Sequence, residues 1–336
     1  AKAVEAPSNA ASWQAALDRK VELDAGGVKL RMTWRDLGGT IDEHDVNDAG
    51  TFSGDQIKQL AQHGRVPVTL DRAKAEQAIR KIKAAHDHAP TNAFIDLEGR
   101  RIVDDKPGRG IELWAALPRL ETAARLGQAA VELPMVDIPA TSSKQGMGIE
   151  DISQVLGTYT TKFSVSDKDR NFNLKLAASK LNGFVMQPGV EFSFNDIVGE
   201  RSEKMGYKIA HVIDAGEMVD GLAGGTCQIS TTLFGASFFA GLEIVKTTNH
   251  SRPSTYTPLG FDATVVWPNT DLKLKNPYDF PVVIHYRVAN GESTVELLGK
   301  KRPWDKIVFE RKVLETTPYT TEERLDDKVK KDETSL

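Results

Sequence analysis

Cys227 is the only cysteine in a chain of 336 residues, and it lies in the stretch AGGTCQISTTLF. Two glycines, Gly224 and Gly225, precede it. Behind it Ile229, Leu233 and Ala236 recur at helical spacing, Phe234, Phe238 and Ala240 widen the apolar face, and Gly241 reads as a stop. The pattern predicts a buried helix with Cys227 in its first turn. Free N–H groups at a helix start favour negative charge on a sulfur. The glycines let backbone approach a ligand and present amides, so Gly224, Gly225, Thr226 and Gln228 are candidates for holding an oxyanion or substrate. The chemistry such a stretch suits is attack by sulfur on an acyl carbon. The bland alternative is a packed, inert cysteine with glycines that serve close packing.

A nucleophilic cysteine needs a base, and the base needs an orienting group. Of the seven histidines, His44, His63, His86 and His88 stand in polar or helix-end surroundings and read as surface. His285 alternates within a strand and reads as structural. His250, in TTNHSRPSTY, follows a strand that returns from the Cys227 helix, which brings it back to the helix start. His211, in KIAHVIDAG, precedes the glycine turn and is the alternative base. Asp262, in LGFDATV, is placed to orient an imidazole or simply to cap a turn. Arg252 or Arg201 could pair with a carboxylate, since a guanidinium suits bidentate recognition. Arg201 reads rather as a surface or structural ion pair, because ERSEK looks like solvated surface. Tyr256 is a candidate pocket residue. No CxxC, HExxH or Gly-rich phosphate loop is present, so no metal or other cofactor is implied. The Trp and Phe residues read as core, and exposure of Trp114 or Trp267 would reopen the question of a sugar platform.

The elements that must position these residues fall into two groups. The first contains a short helix near Trp13, the strand VKLRMTW, a helix after the cap Asp71, a hairpin turning at Glu98–Gly99, a helix ending at Gly127 with Pro118 near its first turn, and the strand AAVELPMVDIP. ATSSKQGMG reads as a linker. The second group has the strand YTTKFSV, a helix NFNLKLAASKLNG, a turn at Pro188–Gly189, the Cys227 helix, and the strands LEIVKTT, ATVVW and DLKLKN. It ends in a hairpin turning at Asn290–Gly291. The expected fold class is α+β, with the Cys227 helix packed on a mainly antiparallel sheet. The expected divisions are a flexible segment 1–20, a small α+β domain 21–142, a second α+β domain 150–305 and a charged linker 306–336. The composition is that of a globular protein, 40% hydrophobic and 27% charged. A net charge of −4 gives no electrostatic reason to expect nucleic acid or an anionic membrane. No apolar run reaches the length of a membrane span. The chain starts without Met and shows no signal peptide, so it reads as a processed or truncated product.

PGVEFSFNDIVGERSEKMGYKIA, AGGTCQISTTLFGASFFAGLEIV, NHSRPSTY, GFDATV and DLKLKNPYDFPVVI together resemble the VanW domain, in order and over roughly residues 150–300. Residues 70–140 resemble, by pattern more than by motif, the peptidoglycan-binding domain that often precedes it. The resemblance implies an extracytoplasmic, cell-wall protein, with a membrane anchor on its N-terminal side and often a C-terminal G5 module, neither visible here. It implies peptidoglycan stem peptides as partners, glycan strands as further ones, and L,D-transpeptidase activity that forms 3-3 cross-links through a cysteine thioester. By motif, Cys227 corresponds to the family's cysteine, and His250 and Asp262 match its later polar motifs. Ala223 stands where many members have another glycine, and His211 where a proline or small residue is commoner. A non-catalytic peptidoglycan-binding protein, and a cysteine peptidase that trims stems, remain the alternatives.

Overall fold

In the computed structural model, residues 13–41, 54–63, 65–214, 217–302 and 304–318 are described. His44, the first twelve residues and the last eighteen lie outside them.

The N-terminal half starts with β1 (Lys20–Ala25) and β2 (Val28–Thr33), antiparallel about Gly26 and Gly27, both of positive φ. Val21, Leu23 and Ala25 alternate inward from β1. Next come α1 (Gly54–Gln62) and α2 (Arg72–His86). The Asp71 carboxylate accepts from the Ala73 and Lys74 amides, as the sequence predicts, and Ala75, Ala78, Ile79 and Ile82 form the inner stripe of α2. The hairpin of β3 (Phe94–Asp96) and β4 (Arg101–Val103) follows, then α3 (Leu113–Leu126), closed by Gly127 in the left-handed conformation. Pro118 falls in the second turn of α3, deeper than expected. The stretch AAVELPMVDIP is two strands, β5 (Ala130–Glu132), parallel to β1, and Met135–Ile138, with Pro134 between them. Trp34, Leu23, Ile79, Leu117 and Leu120 share one core. The expected linker contains a helical turn, Lys144–Met147, capped by Ser143.

The second half is built from β6 (Gln154–Lys162), α4 (Lys168–Leu181), β7 (Val185–Met186), β8 (Glu191–Ser193), β9 (Ile209–Asp214), β10 (Glu217–Leu222), α5 (Thr226–Ala240), β11 (Glu243–Lys246), β12 (Lys273–Lys275), β13 (Val282–Ala289) and β14 (Glu292–Gly299). The main sheet runs β6-β14-β13-β7, all antiparallel, and β8-β12-β11 forms a second. Among the described residues the β9–β10 ribbon pairs with no third strand, and it was not expected from the sequence. Asn290 and Gly291 turn the last hairpin with positive φ at both, the signature of a two-residue turn. Helix α5 carries Ile229, Leu233 and Ala236 into a core shared with Leu174, Ala177 and Leu181 of α4 and with Leu156, Val295 and Leu297 of the sheet. The chain is therefore α+β, with the cysteine helix buried on an antiparallel sheet.

Strand β13 shows why period 2 matters. Ile284 and Tyr286 face the core under α5, whereas Val283 joins a separate cluster with Ile149, Ile152 and Leu298, against which Ile95, Leu97 and Ile102 of the β3–β4 hairpin pack. His285, 3% exposed, sits at 3.3 Å from both Glu98 and Glu296, and Arg100 donates to Glu296 at 2.8 Å. His285 thus belongs to a junction between the two halves. ATVVW forms no strand; only Val266 bridges to Thr270. Phe309, in the stretch expected to be a linker, lies 4.4 Å from the ring of Phe261.

Candidate functional site

The start of α5 is shaped by its glycine turn. Ala223 has φ 62 and Gly225 φ 103. A Cβ on Gly224 would sit 2.6 Å from the His211 carbonyl oxygen and 2.9 Å from the Ala210 carbonyl carbon. Gly224 therefore lets β9 close on the turn, which is a packing role. Buried Asn173 of α4 ties the same parts together: it donates to the Lys208 and Gly224 carbonyls and accepts from the Lys208 amide. Gly224→Ala should cost about 1–3 kcal/mol of stability through overpacking. Ala223→Gly should instead be neutral or add up to about 1 kcal/mol, because alanine is strained at positive φ. Urea unfolding of the two variants tests this opposition of sign.

Within the first turn the N–H groups of Thr226, Gln228 and Ile229 return to Ala223 and Gly225, and the Thr226 hydroxyl donates to Ala223 at 2.8 Å. Among the described residues the Cys227 N–H has no acceptor. The Gln228 side chain is committed: it donates to Thr161 and Lys162 and accepts from Arg170 at 2.9 Å. What α5 can offer an oxyanion is thus backbone rather than the glutamine amide.

Half-buried Cys227 lies against the strap 263–265, its sulfur 3.5 Å from both the amide nitrogen and the carbonyl oxygen of Val265. Hydroxyls of α5 hold the strap in place. Ser230 donates to the Ala263 carbonyl, and the Ala263 amide donates to Thr231. The Thr264 amide donates to Thr248 at 2.7 Å. The strap's backbone groups are thus taken by α5 hydroxyls and by the Thr248 carbonyl rather than by a sheet ladder, so ATVVW is not a strand.

The strap also delivers Asp262 to His250. Their Oδ2 and Nδ1 are 2.5 Å apart, and the two side chains are only 8% and 7% exposed. The carboxylate accepts further from the His250 amide at 2.8 Å and from Asn249 Nδ2 at 2.7 Å. Burial pushes the imidazole down, but its hydrogen bonds to Asp262 and to Cys227, with the charges of both, outweigh burial and raise it to about 9. Burial raises the Asp262 carboxyl, and the bonds from His250 and Asn249 more than reverse this, leaving it below the usual range. With Nδ1 on Asp262, the imidazole has Nε2 left for the sulfur.

Cys227 and His250 open on a cavity of about 1080 Å³ whose wall includes Arg170, Arg201, Tyr256 and Trp267. Arg252 and His211 are exposed on the same cavity, and His211 Nε2 is 3.8 Å from Asp220 on the facing strand. Burial pushes the Tyr256 phenol upward and the Arg170 guanidinium downward. Trp267 is 40% exposed and Trp114 59%, so neither is core as expected. Arg201 is no solvated surface residue either; its guanidinium is buried. Sequence reasoning missed Asn249, Asn173 and Arg170. Asn249 had a signal, since it adjoins His250 in NHSRPSTY. Among the described residues no group of three or more His, Cys, Asp or Glu could hold a metal ion, and no helix is long and apolar enough to cross a membrane.

Residues 169–298 match the model of the family described as VanW like protein. The uncharacterized protein YoaR of Bacillus subtilis is 34% identical over 233 residues, 68% of this chain and 75% of YoaR. The chain belongs to the VanW family. The vancomycin B-type resistance protein VanW of Enterococcus faecalis is 29% identical over 144 residues, 41% of this chain and 52% of that relative. The segment that matches the VanW model contains Cys227, His250, Asp262 and the cavity residues Arg170, Arg201, Tyr256 and Trp267. Two solved structures show a fainter likeness. An Enterococcus faecium L,D-transpeptidase mutant is 12% identical at a TM-score of 0.23, covering 64% of this chain and 76% of its own. The Ldtfm–avibactam carbamoyl enzyme is 11% identical at the same score, over 63% and 73%. A likeness that small carries no argument.

Proposed function

We propose that this protein is a cysteine acyltransferase of the cell wall, an L,D-transpeptidase that joins peptidoglycan stem peptides by 3-3 cross-links. The observation that carries the reading is the Cys227–His250–Asp262 constellation at the mouth of a cavity, with Asp262 on Nδ1 of an imidazole that faces the sulfur. The VanW motifs around these residues, and a relative named for vancomycin resistance, support the wall as the place of action. In this reading the protein works outside the cytoplasm, residues 150–305 are catalytic, and residues 21–142 bind peptidoglycan.

The thiolate of Cys227 attacks the carbonyl of an L-configured diamino-acid residue, and the Cys227 N–H steadies the oxyanion. The tetrahedral adduct collapses, the C–N bond breaks, and His250 gives its proton to the departing amine of the terminal D-residue. An amine of a second stem then attacks the thioester, His250 takes a proton from it, and the C–S bond breaks to leave a new amide and free thiolate. An imidazole raised to about 9 holds its proton at neutral pH, which suits donation to the leaving group. Incubation with muropeptides followed by mass spectrometry of the intact protein should find a covalent acyl adduct on Cys227, and dimeric 3-3 products should accumulate. Release of trimmed monomers alone would replace transfer by hydrolysis. Absence of any adduct under conditions where the thiol is alkylated by iodoacetamide would defeat the proposal.

A further inference from the structure

The residues lining the cavity include buried polar atoms without a hydrogen-bond partner among the described residues. Nε, Nη1 and Nη2 of Arg201 are buried without a hydrogen-bond partner, and so are Ser202 Oγ and Thr264 Oγ1. All three residues line the cavity that contains Cys227. A buried guanidinium with five donors and no acceptor is costly, by several kcal/mol before any compensation. Its compensation here is partial. The Phe194 ring lies 5.3 Å from Arg201 Cζ. The Asp271 carboxylate acts on it from a distance, but that carboxylate accepts from Ser193 and from the Asn195 amide. Burial pushes the guanidinium down, and the charges of Tyr207, Cys227 and Asp271 push back. The sulfur lines the same cavity as Arg201. The other cavity arginines do not share this state: Arg170 donates to Gln228, and Arg252 is exposed.

We infer that Arg201, with Ser202 Oγ and Thr264 Oγ1, is a carboxylate subsite, and that the donor peptide ends there in a free carboxylate on its leaving residue. This rests on Cys227 attacking a peptide carbonyl. A guanidinium fork takes a carboxylate through two parallel bonds, and the two hydroxyls supply further donors. In the proposed reaction the departing residue is the terminal one, so its free carboxylate is the group this subsite takes. The subsite makes the reaction exo-acting: donors extended or amidated at the C-terminus lose the contact and leave the guanidinium unpaired.

The test is binding, separate from turnover. The full chain is titrated by NMR with N-acetyl-D-alanine and with its neutral amide, N-acetyl-D-alaninamide. The acid should bind the wild type and Cys227→Ala alike, and the amide should bind at least about tenfold more weakly, since a bond to a charged partner is lost. Arg201→Gln should erase the preference, whereas Arg201→Lys should keep part of it. If Arg201→Gln fails to fold, the double variant Ser202→Ala, Thr264→Val should weaken the acid and leave the amide unchanged. Equal binding of acid and amide, no binding of the acid, or a preference that survives Arg201→Gln overturns the subsite. Acid binding that persists while no adduct forms on Cys227 leaves the subsite standing and removes the acyl-transfer reading alone.

Discussion

Cys227→Ala should lose product formation by about 10⁴-fold or more, while the protein stays folded. The sulfur is the atom to which the acyl group would be bonded, and no other thiol exists in the chain to replace it. Its structural contribution is small by comparison. Besides its bond to the His250 imidazole it makes two long contacts with Val265, at 3.5 Å, and the strap stays tied to α5 through Ser230 and Thr231. The stability cost should therefore be near about 1 kcal/mol, the scale of a modest cavity. Two measurements on one preparation, unfolding and muropeptide turnover, separate the roles. An inactive variant of near wild-type stability is the expected result. An active one would return Cys227 to the rank of a packing residue, and a variant that unfolds would show the thiol is needed for the fold.

Local signals were legible where one element answers to its own residues. Asp71 caps its helix, Asn290–Gly291 turns its hairpin, and Ile229, Leu233 and Ala236 put α5 in the core. Topology also let His250 be placed, because the strand after α5 is short and antiparallel and returns the chain to the helix start. Features that depend on partners remote in sequence were not legible. Charge in ERSEK reads as solvated, and only the tertiary wall of Phe194 and the cavity makes Arg201 a buried cation. ATVVW has the apolar residues of a strand, yet its backbone bonds go to hydroxyls of α5 and to Thr248. Gly224 and Gly225 look alike in the chain but do different things: one admits the backbone of β9, the other takes a positive φ. The β9–β10 ribbon lacks a strong two-residue turn signal and, among the described residues, pairs with no third strand.

Asp262→Asn should lower turnover by about 10²–10⁴-fold, because the carboxylate sets both the tautomer and the proton affinity of His250. The same pair makes a pH-dependent contribution to stability, and its sign is fixed. The imidazole is raised from 6.5 to about 9 in the folded protein. Its contribution is complete below the ordinary histidine range and is lost as pH rises through about 9. The Asp262 carboxyl is lowered, so its contribution is present above the ordinary carboxylate range and lost as pH falls through its folded value. The pair thus stabilises most between the ordinary carboxylate range and the ordinary histidine value of 6.5, and the contribution declines from there toward about 9. A shift of this size corresponds to roughly 3 kcal/mol at most. The melting temperatures of wild type and Asp262→Asn should differ most near about pH 5 and converge near about pH 10, where both imidazoles are neutral. Turnover should follow: the alkaline limb of the wild type, near 9, should move down toward the ordinary histidine value in the variant. A melting gap that stays constant to high pH would mean that Asp262 acts only as a polar brace for the chain around Asn249 and His250.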